Sequence, residues 1–307
     1  MNPLRGIGLK ILSVTVFTFM AICIKAAAED VPAGQAVFFR STFAIPVIVA
    51  WLAWTRNLRH GLDTNNPMGH LWRGLVGTTS MGLGFTALGL LPLPEATALG
   101  YAAPLLTVVF AAMFLGEQVR AFRLTAVLIG LVGVGIVLAP RLTVLDVDTA
   151  SRLETIGAMA ALLGAVFAAL AQVFVRKLVH GEQTAAIVFY FSLTAAILSL
   201  ATLPFGWVAP TPREAGLLIG AGLLGGVGQI LLTESYRHAE TSVIAPFEYV
   251  SMVLSLGFGY LLFDESPTIA MLAGAALIVV AGLFIIWREH KLGLERAKAR
   301  KVITPQG

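Results

Sequence analysis

The sequence predicts an all-α integral membrane protein, with ten transmembrane helices arranged as two inverted five-helix repeats. Three observations carry this expectation. Of 307 residues, 57% are hydrophobic and only 12% charged, with a mean hydropathy of +0.85. Soluble domains carry about 25% charged residues, so this chain lacks the polar cover that water would demand. Apolar runs long enough to cross a hydrocarbon core, roughly 20 residues for a thickness of about 30 Å, recur ten times. Finally, the second half compares well with the first at an offset near 150.

Taken in order, span 1 (9–27) has Arg5 just before it and Lys10 at its start, and closes with Lys25 and the alanines 26–28. It imitates a secretory signal, but it is too long for a signal core, and Lys25 is a poor approach to a cleavage site. Glu29-Asp30-Val31-Pro32 breaks the chain before span 2 (35–54), and the stretch Arg56 to Pro67 separates it from span 3 (73–91). Pro92-Leu93-Pro94 precedes span 4 (95–114), after which come Glu117, Arg120 and span 5 (121–139). A solvated connector (140–153), containing Asp146 and Asp148, leads to span 6 (154–175) and then span 7 (185–204). Pro210-Thr211-Pro212 precedes span 8 (215–235), and Asp264-Glu265-Ser266-Pro267 divides span 9 (241–262) from span 10 (268–287). These runs must be helices, because backbone groups have no water to bond within lipid and no alternating strand pattern occurs.

The loops predict an orientation. With the N-terminus inside, sixteen of the twenty-one Lys and Arg residues fall in inner segments, Lys10 and Arg73 among them. Only Arg141, Arg152 and Arg213 fall outside, while Lys25 and Arg40 lie at or within spans. The positive-inside rule therefore places both termini in the cytoplasm. All five tryptophans fall at or near run ends, as an aromatic belt requires. The domain reading is repeat 1 at 8–139, the connector, repeat 2 at 154–287 and a basic cytoplasmic tail at 288–307.

The repeat is visible residue by residue. Residues 101–117 begin with Tyr101 and end in Phe-Leu-Gly-Glu117, and residues 249–265 begin with Tyr249 and end in Leu-Phe-Asp-Glu265. Ala126-Val127-Leu128-Ile129 with Gly133 matches Ala275-Ala276-Leu277-Ile278 with Gly282, and Lys25 matches Lys177. Each half has five spans, so the second must enter the membrane from the opposite face. Such repeats build secondary transporters, with a site near the midplane between the halves.

The two glutamate-terminated stretches, each followed by a glycine-containing apolar helix, together with Ala245-Pro246-Phe247-Glu248-Tyr249, resemble the EamA family of the drug/metabolite transporter superfamily. The resemblance covers roughly 8–290. It implies a central cavity formed mainly by spans 1, 3, 4, 6, 8 and 9, with spans 5 and 10 supporting. Within the family, the segment Ser242 to Tyr249 and the ending from Trp287 to Arg296 look like riboflavin transporters. Similar sequences also include S-adenosylmethionine carriers and exporters of amino acids or metallophores. The implied activity is inner-membrane transport of a small metabolite by alternating access. Riboflavin uptake is the favoured reading, and export of amino acids or related metabolites the alternative. A non-transporting scaffold or sensor is the rival from another class.

Ionisable groups within spans cost about 2.5–3.5 kcal/mol each on insertion scales, so each needs a reason. Glu248 is the sharpest candidate, as a substrate-contacting or proton-coupling carboxylate about two turns into span 9. It shares a face with Met252, Ser255 and Gly259. In span 8, Gln229, Thr233 and Tyr236 share a face, and the Gln229 amide can both donate and accept at a substrate edge. Glu234 reads as an interface carboxylate. Span 4 offers Thr97, Tyr101 and Pro104, with Tyr101 able to stack on an aromatic substrate and Tyr249 as its counterpart in the repeat. Gln172, Thr78, Thr79 and Ser80 are weaker candidates. Arg40, five residues into span 2, is expected to pair with Glu29 or Asp30 near the outer surface, or to attract anions at an entrance. The glycines of spans 5 and 8 permit close helix packing.

Several classes are excluded. The single cysteine, Cys23, supports no disulfide or thiol metal cluster. The five histidines are not spaced as ligands, and no phosphate-binding loop follows a strand. No cofactor, no metal, no nucleic acid and no enzymatic chemistry are therefore expected. The expected partners are lipid and a small-molecule substrate, with monomer and homodimer both open.

Overall fold

In the computed structural model, residues 3–115, 121–142, 149–179, 181–238 and 245–303 are described. Glu117, Arg120, His180, the connector's Asp146 and Asp148, and the first residues of span 9 lie outside them. The described residues contain no strand and form ten helical passes. These begin with α1 (Pro3–Ala27), α2 (Ala33–Trp54) and α3 (Pro67–Leu90). The fourth pass is broken into α4 (Leu93–Gly100) and α5 (Ala102–Leu115). Then come α6 (Ala121–Leu142), α7 (Thr149–Val179), α8 (Thr184–Ser199) and α9 (Pro212–His238). The ninth pass opens with a 3-10 turn (Ala245–Tyr249) and continues as α10 (Val250–Phe263), and α11 (Ile269–Ile303) is the tenth. Five of the passes are long and apolar enough to cross a membrane by length and composition. They are Leu4–Ala27, Ala33–Trp54, Arg152–Val179, Thr184–Thr202 and Pro212–His238. Leu124–Ala139, Phe247–Phe263 and Ile269–Phe284 are shorter apolar helices.

Local chemistry explains the key boundaries. Asn66 accepts from the Gly69 amide at 2.9 Å and Pro67 takes the first helical position, an N-cap followed by a residue whose φ is already helical. As a result α3 starts six residues before the expected run. The fourth pass breaks at Tyr101 because Pro104 has no N–H to offer the Gly100 carbonyl. At the far end of α10, Asp264 adopts a left-handed conformation (φ 53°), and the Glu265 amide turns back to the Gly259 carbonyl at 3.0 Å.

The two halves interleave. α1 and α2 pack along α9, α3 along α7 and α8, and α6 along α11. Glycine makes the closest approaches possible: a Cβ at Gly133 would stand 2.8 Å from the Gly274 carbonyl oxygen, and one at Gly274 would stand 2.6 Å from that of Gly133. One buried cluster joins Leu99, Tyr101, Leu105, Val134, Met252 and Ile278 across α4, α5, α6, α10 and α11. A second joins Ile24, Val37, Phe85, Phe191 and Leu218 across α1, α2, α3, α8 and α9. The outer faces are apolar and exposed, as at Val132, Val253, Leu261 and Ile269. Such faces suit hydrocarbon, where burying them in protein brings no hydrophobic gain.

Candidate functional site

Between the halves lies a cavity of about 240 Å³, walled by α1, α2 and α3 on one side and by α7, α8 and α9 on the other. Phe17, Met20, Met81, Val175 and Leu232 give it an apolar lining. Gln172, Gln229, Thr233 and Tyr236 supply neutral polar groups, and Arg40 and Arg73 supply charge. The cavity thus draws on passes 2 and 7, which the family resemblance left out. Among the described residues its lining includes nothing from passes 4 and 9, which are hydrogen-bonded to each other.

The α9 face is assembled as its spacing suggests. The Tyr236 hydroxyl donates to Gln172 Oε1 at 3.2 Å, joining α9 to α7 across the cavity wall. Thr233 returns its hydroxyl to the Gln229 carbonyl at 2.8 Å. Ser80 also lines the space and donates to the Gly164 carbonyl at 2.9 Å.

Glu248 sits beside this wall through a partner. Its Oε2 lies 2.9 Å from Lys10 Nζ, and that ammonium stands 5.9 Å from the centre of the Tyr236 ring. Lys10 is 2% exposed, whereas the Glu248 side chain is 38% exposed. Two expectations are corrected here. Lys10, counted with the inner-segment charges, is a buried ion-pair member within α1. Glu248 is not sealed deep in an α-helix but sits on the 3-10 turn ahead of α10. The expected common face divides accordingly: Met252, Ser255 and Gly259 form the buried side of α10, and Glu248 precedes it.

Thr97, Tyr101, Tyr249 and Met252 are brought together, but in a seam between α4 and the ninth pass and not in the cavity. Thr97 and Ser255 share a hydroxyl hydrogen bond at 2.9 Å, and Tyr101 and Ser251 another at 2.6 Å. The Tyr101 and Tyr249 rings meet edge to face with centroids 5.1 Å apart, a favoured aromatic geometry. Met252 is buried in the same cluster. Glu234 accepts from the Thr184 hydroxyl at 2.7 Å and lies 3.8 Å from His238 and 4.0 Å from Arg237, at the end of α9.

Arg40 and Arg73 depart furthest from expectation. Arg40 does not reach Glu29 or Asp30, which are exposed. It is 2% exposed, donates to the Gly225 carbonyl at 3.4 Å and stands 5.4 Å from the Phe191 ring centre. Arg73 is 6% exposed with its guanidinium 3.9 Å from the centre of the same ring. It was expected in an inner segment. The early start of α3 instead carries it about 9 Å along the helix, at 1.5 Å per residue, and into the cavity wall. Asn66-Pro67 is the sequence signal that finds it. Phe191, one aromatic within an apolar run, has no such signal.

At the opposite end of α1, Lys25 Nζ pairs with Glu265 Oε1 at 2.9 Å and donates to the Leu88 and Leu91 carbonyls at 3.3 and 2.7 Å. Glu265 Oε2 accepts from the Leu93 amide at 2.8 Å. One ion pair therefore satisfies the carbonyl end of α3 and the amide end of α4, matching the sign of each helix dipole. Among the described residues no three His, Cys, Asp or Glu side chains gather to hold a metal ion.

The profile of the EamA-like transporter family matches residues 4–139 and again 155–287. This chain belongs to that family. It is similar to the pseudopaline exporter CntI of Pseudomonas aeruginosa (strain UCBPP-PA14), with 32% identity over 90% of this chain and 94% of the relative. It is also similar to the S-adenosylmethionine uptake transporter of Rickettsia bellii, with 28% identity over 92% of this chain and 97% of the relative. A solved crystal structure shares the fold at a TM-score of 0.67 and 23% identity, covering 94% of this chain and 98% of that one. The chain is thus a multi-pass membrane transporter and not an enzyme. The expected placement in a riboflavin branch is not supported, since these relatives are named for pseudopaline and S-adenosylmethionine.

Proposed function

We propose that this EamA-like protein is a secondary carrier that moves a small amino-acid-related or S-adenosyl metabolite through the cavity between its halves by alternating access. The carrying observation is the cavity itself. It is enclosed by helices of both repeats and lined by amides, hydroxyls and buried cations that a structural core would not retain. Intramembrane charges that line a cavity mark substrate pathways. The names of the relatives favour this substrate range over riboflavin, and within the range a space of about 240 Å³, small beside the roughly 300–1,000 Å³ of sites for drug-sized ligands, suits an amino-acid-sized solute better than an S-adenosyl compound.

In this reading Gln172, Gln229 and Tyr236 contact the substrate. Glu248, released from Lys10, takes up a proton or a substrate cation. Thr97, Tyr101, Tyr249 and Met252 hold the seam along which the halves turn. The protein resides in a bacterial inner membrane with both termini in the cytoplasm, as the loop charges favour. The test is counterflow in proteoliposomes, screening amino acids, S-adenosylmethionine and riboflavin. Exchange of an amino acid or S-adenosyl compound that Gln229→Leu removes, with the variant still folded, supports the proposal. Exchange of riboflavin alone overturns the substrate range, and absence of all exchange overturns the carrier reading.

A further inference from the structure

We infer that Arg40 and Arg73 form a carboxylate clamp, so that the transported metabolite carries a carboxylate and enters the cavity with that group toward Phe191. This deepens the carrier reading above and rests on it.

The two guanidinium groups come from different helices and converge on one aromatic ring, at 3.9 and 5.4 Å from its centre. Both side chains are more than nine-tenths buried, and both line the cavity. The Nε and Nη1 atoms of each are buried without any hydrogen-bond partner. Among the described residues neither arginine has an ion-pair partner, although the cations Lys10 and Lys25 each have one. Buried donors left unpaired are rare in native proteins and call for an explanation, more so when they belong to two like charges in one space. An anion drawn from outside the protein is that explanation.

The donor geometry narrows the anion. Guanidinium groups present rigid forks of N–H donors that match carboxylate and phosphate oxygens two at a time. The Phe191 ring lies against the Arg73 guanidinium and braces it by a cation–π contact. The rest of the lining, with Gln172, Gln229, Thr233 and Tyr236 set among methionine and phenylalanine side chains, suits a partly polar organic body. A small organic carboxylate satisfies the arginines, the amides and the apolar wall together. Lys10 and Glu248 neutralise each other nearby, so the uncompensated charge of the cavity is that of the two arginines.

The experiment uses the full-length protein with matched pairs of probes: L-histidine with histidinamide, L-phenylalanine with phenylalaninamide, and S-adenosylmethionine with its carboxamide. Phosphoethanolamine, which lacks a carboxylate, and inorganic phosphate are added as anion controls. Thermal stabilisation and counterflow are measured for the wild type and for Arg40→Gln, Arg73→Gln and Arg73→Lys. A preference of at least tenfold for the acid of a responding pair, abolished by either glutamine variant and partly kept by Arg73→Lys, is expected. Because a glutamine variant could unfold, protection of Arg40 and Arg73 from phenylglyoxal by the responding acid is followed in the wild type by peptide mass spectrometry. Equal response to acid and amide, or no protection, overturns the clamp while the carrier reading stands. Response to the phosphate compounds alone overturns the carboxylate. Silence of every probe in both assays counts against carrier and clamp together.

Discussion

Replacing Glu248 with glutamine should strand a buried charge, and the structure sets the size of the effect. Lys10 is 2% exposed and its ammonium has Glu248 as its ion-pair partner at 2.9 Å. Removing one member of a fully buried pair costs about 3–5 kcal/mol. Water reaches Glu248, which is 38% exposed, and glutamine keeps one oxygen able to accept from Lys10. The expected loss is therefore about 2 kcal/mol, below the range for fully buried pairs and above that of surface pairs. At about 2–4 °C per kcal/mol for chains of 150–250 residues, and less for longer ones, the midpoint should fall by about 4 °C. The assay is thermal unfolding in detergent at one fixed scan rate, since unfolding of such proteins is commonly irreversible. Lys10→Met combined with Glu248→Gln removes the stranded charge and should recover at least half of the loss. A single variant within 1 °C of wild type, or a double variant as unstable as the separate losses added together, would refute the reasoning.

Other outcomes follow from separate contacts. Lys25→Ala and Glu265→Gln should each lower the midpoint by a few degrees and, combined, by little more than either alone, because both remove the same bridge across α3 and α4; additive losses in the same assay would show independent roles. Gly133→Ala pushes a methyl into the Gly274 backbone and should cost about 1–3 kcal/mol, the usual penalty for overpacking, while Gly135→Ala, with open space around it, should cost much less; equal losses in unfolding midpoints would sink this. Glu182, in the loop between α7 and α8, would have its pKa raised by burial, but the hydrogen bond from the Asn65 amide at 2.9 Å and the His70 ring 3.3 Å away hold it below its ordinary 4.5. Its carboxylate therefore stabilises the fold above about pH 4.5, and that contribution drains as pH falls through the lowered value. Glu182→Gln should flatten the acid limb of a stability-against-pH profile and leave the neutral region with a constant offset; an unchanged acid limb would contradict it.

The passes themselves were legible because lipid leaves helices as the only economical backbone, so apolar length alone located them. The α9 face of Gln229, Thr233 and Tyr236 was legible for a related reason: amides and hydroxyls spaced at helical period within an apolar run must meet something. Thr97 and Tyr101 show where that reasoning stops. Their shared face follows from spacing, but whether it meets a cavity or Ser251 and Ser255 depends on how α4 and α10 approach, which no local pattern specifies. Lys10 and Arg73 were hidden by position. A cation six or seven residues inside a helix end can extend outward to water or bend inward, and only a buried partner or a cavity decides between them. For Arg73 the missing information was the cap at Asn66-Pro67. For Lys10 it was Glu248, more than two hundred residues away.

Tyr101 and Tyr249 occupy equivalent places in the duplicated sequence, and their rings touch. A residue in contact with its own copy marks the pseudo-twofold axis relating the copies. Points near a rotation axis sweep the shortest arcs when one body tilts against another. If the halves rock as proposed, the tyrosine pair is the fulcrum, and the Lys10 and Lys25 ion pairs, fifteen residues apart along the first helix, each tie one repeat to the other and must give way at every stroke.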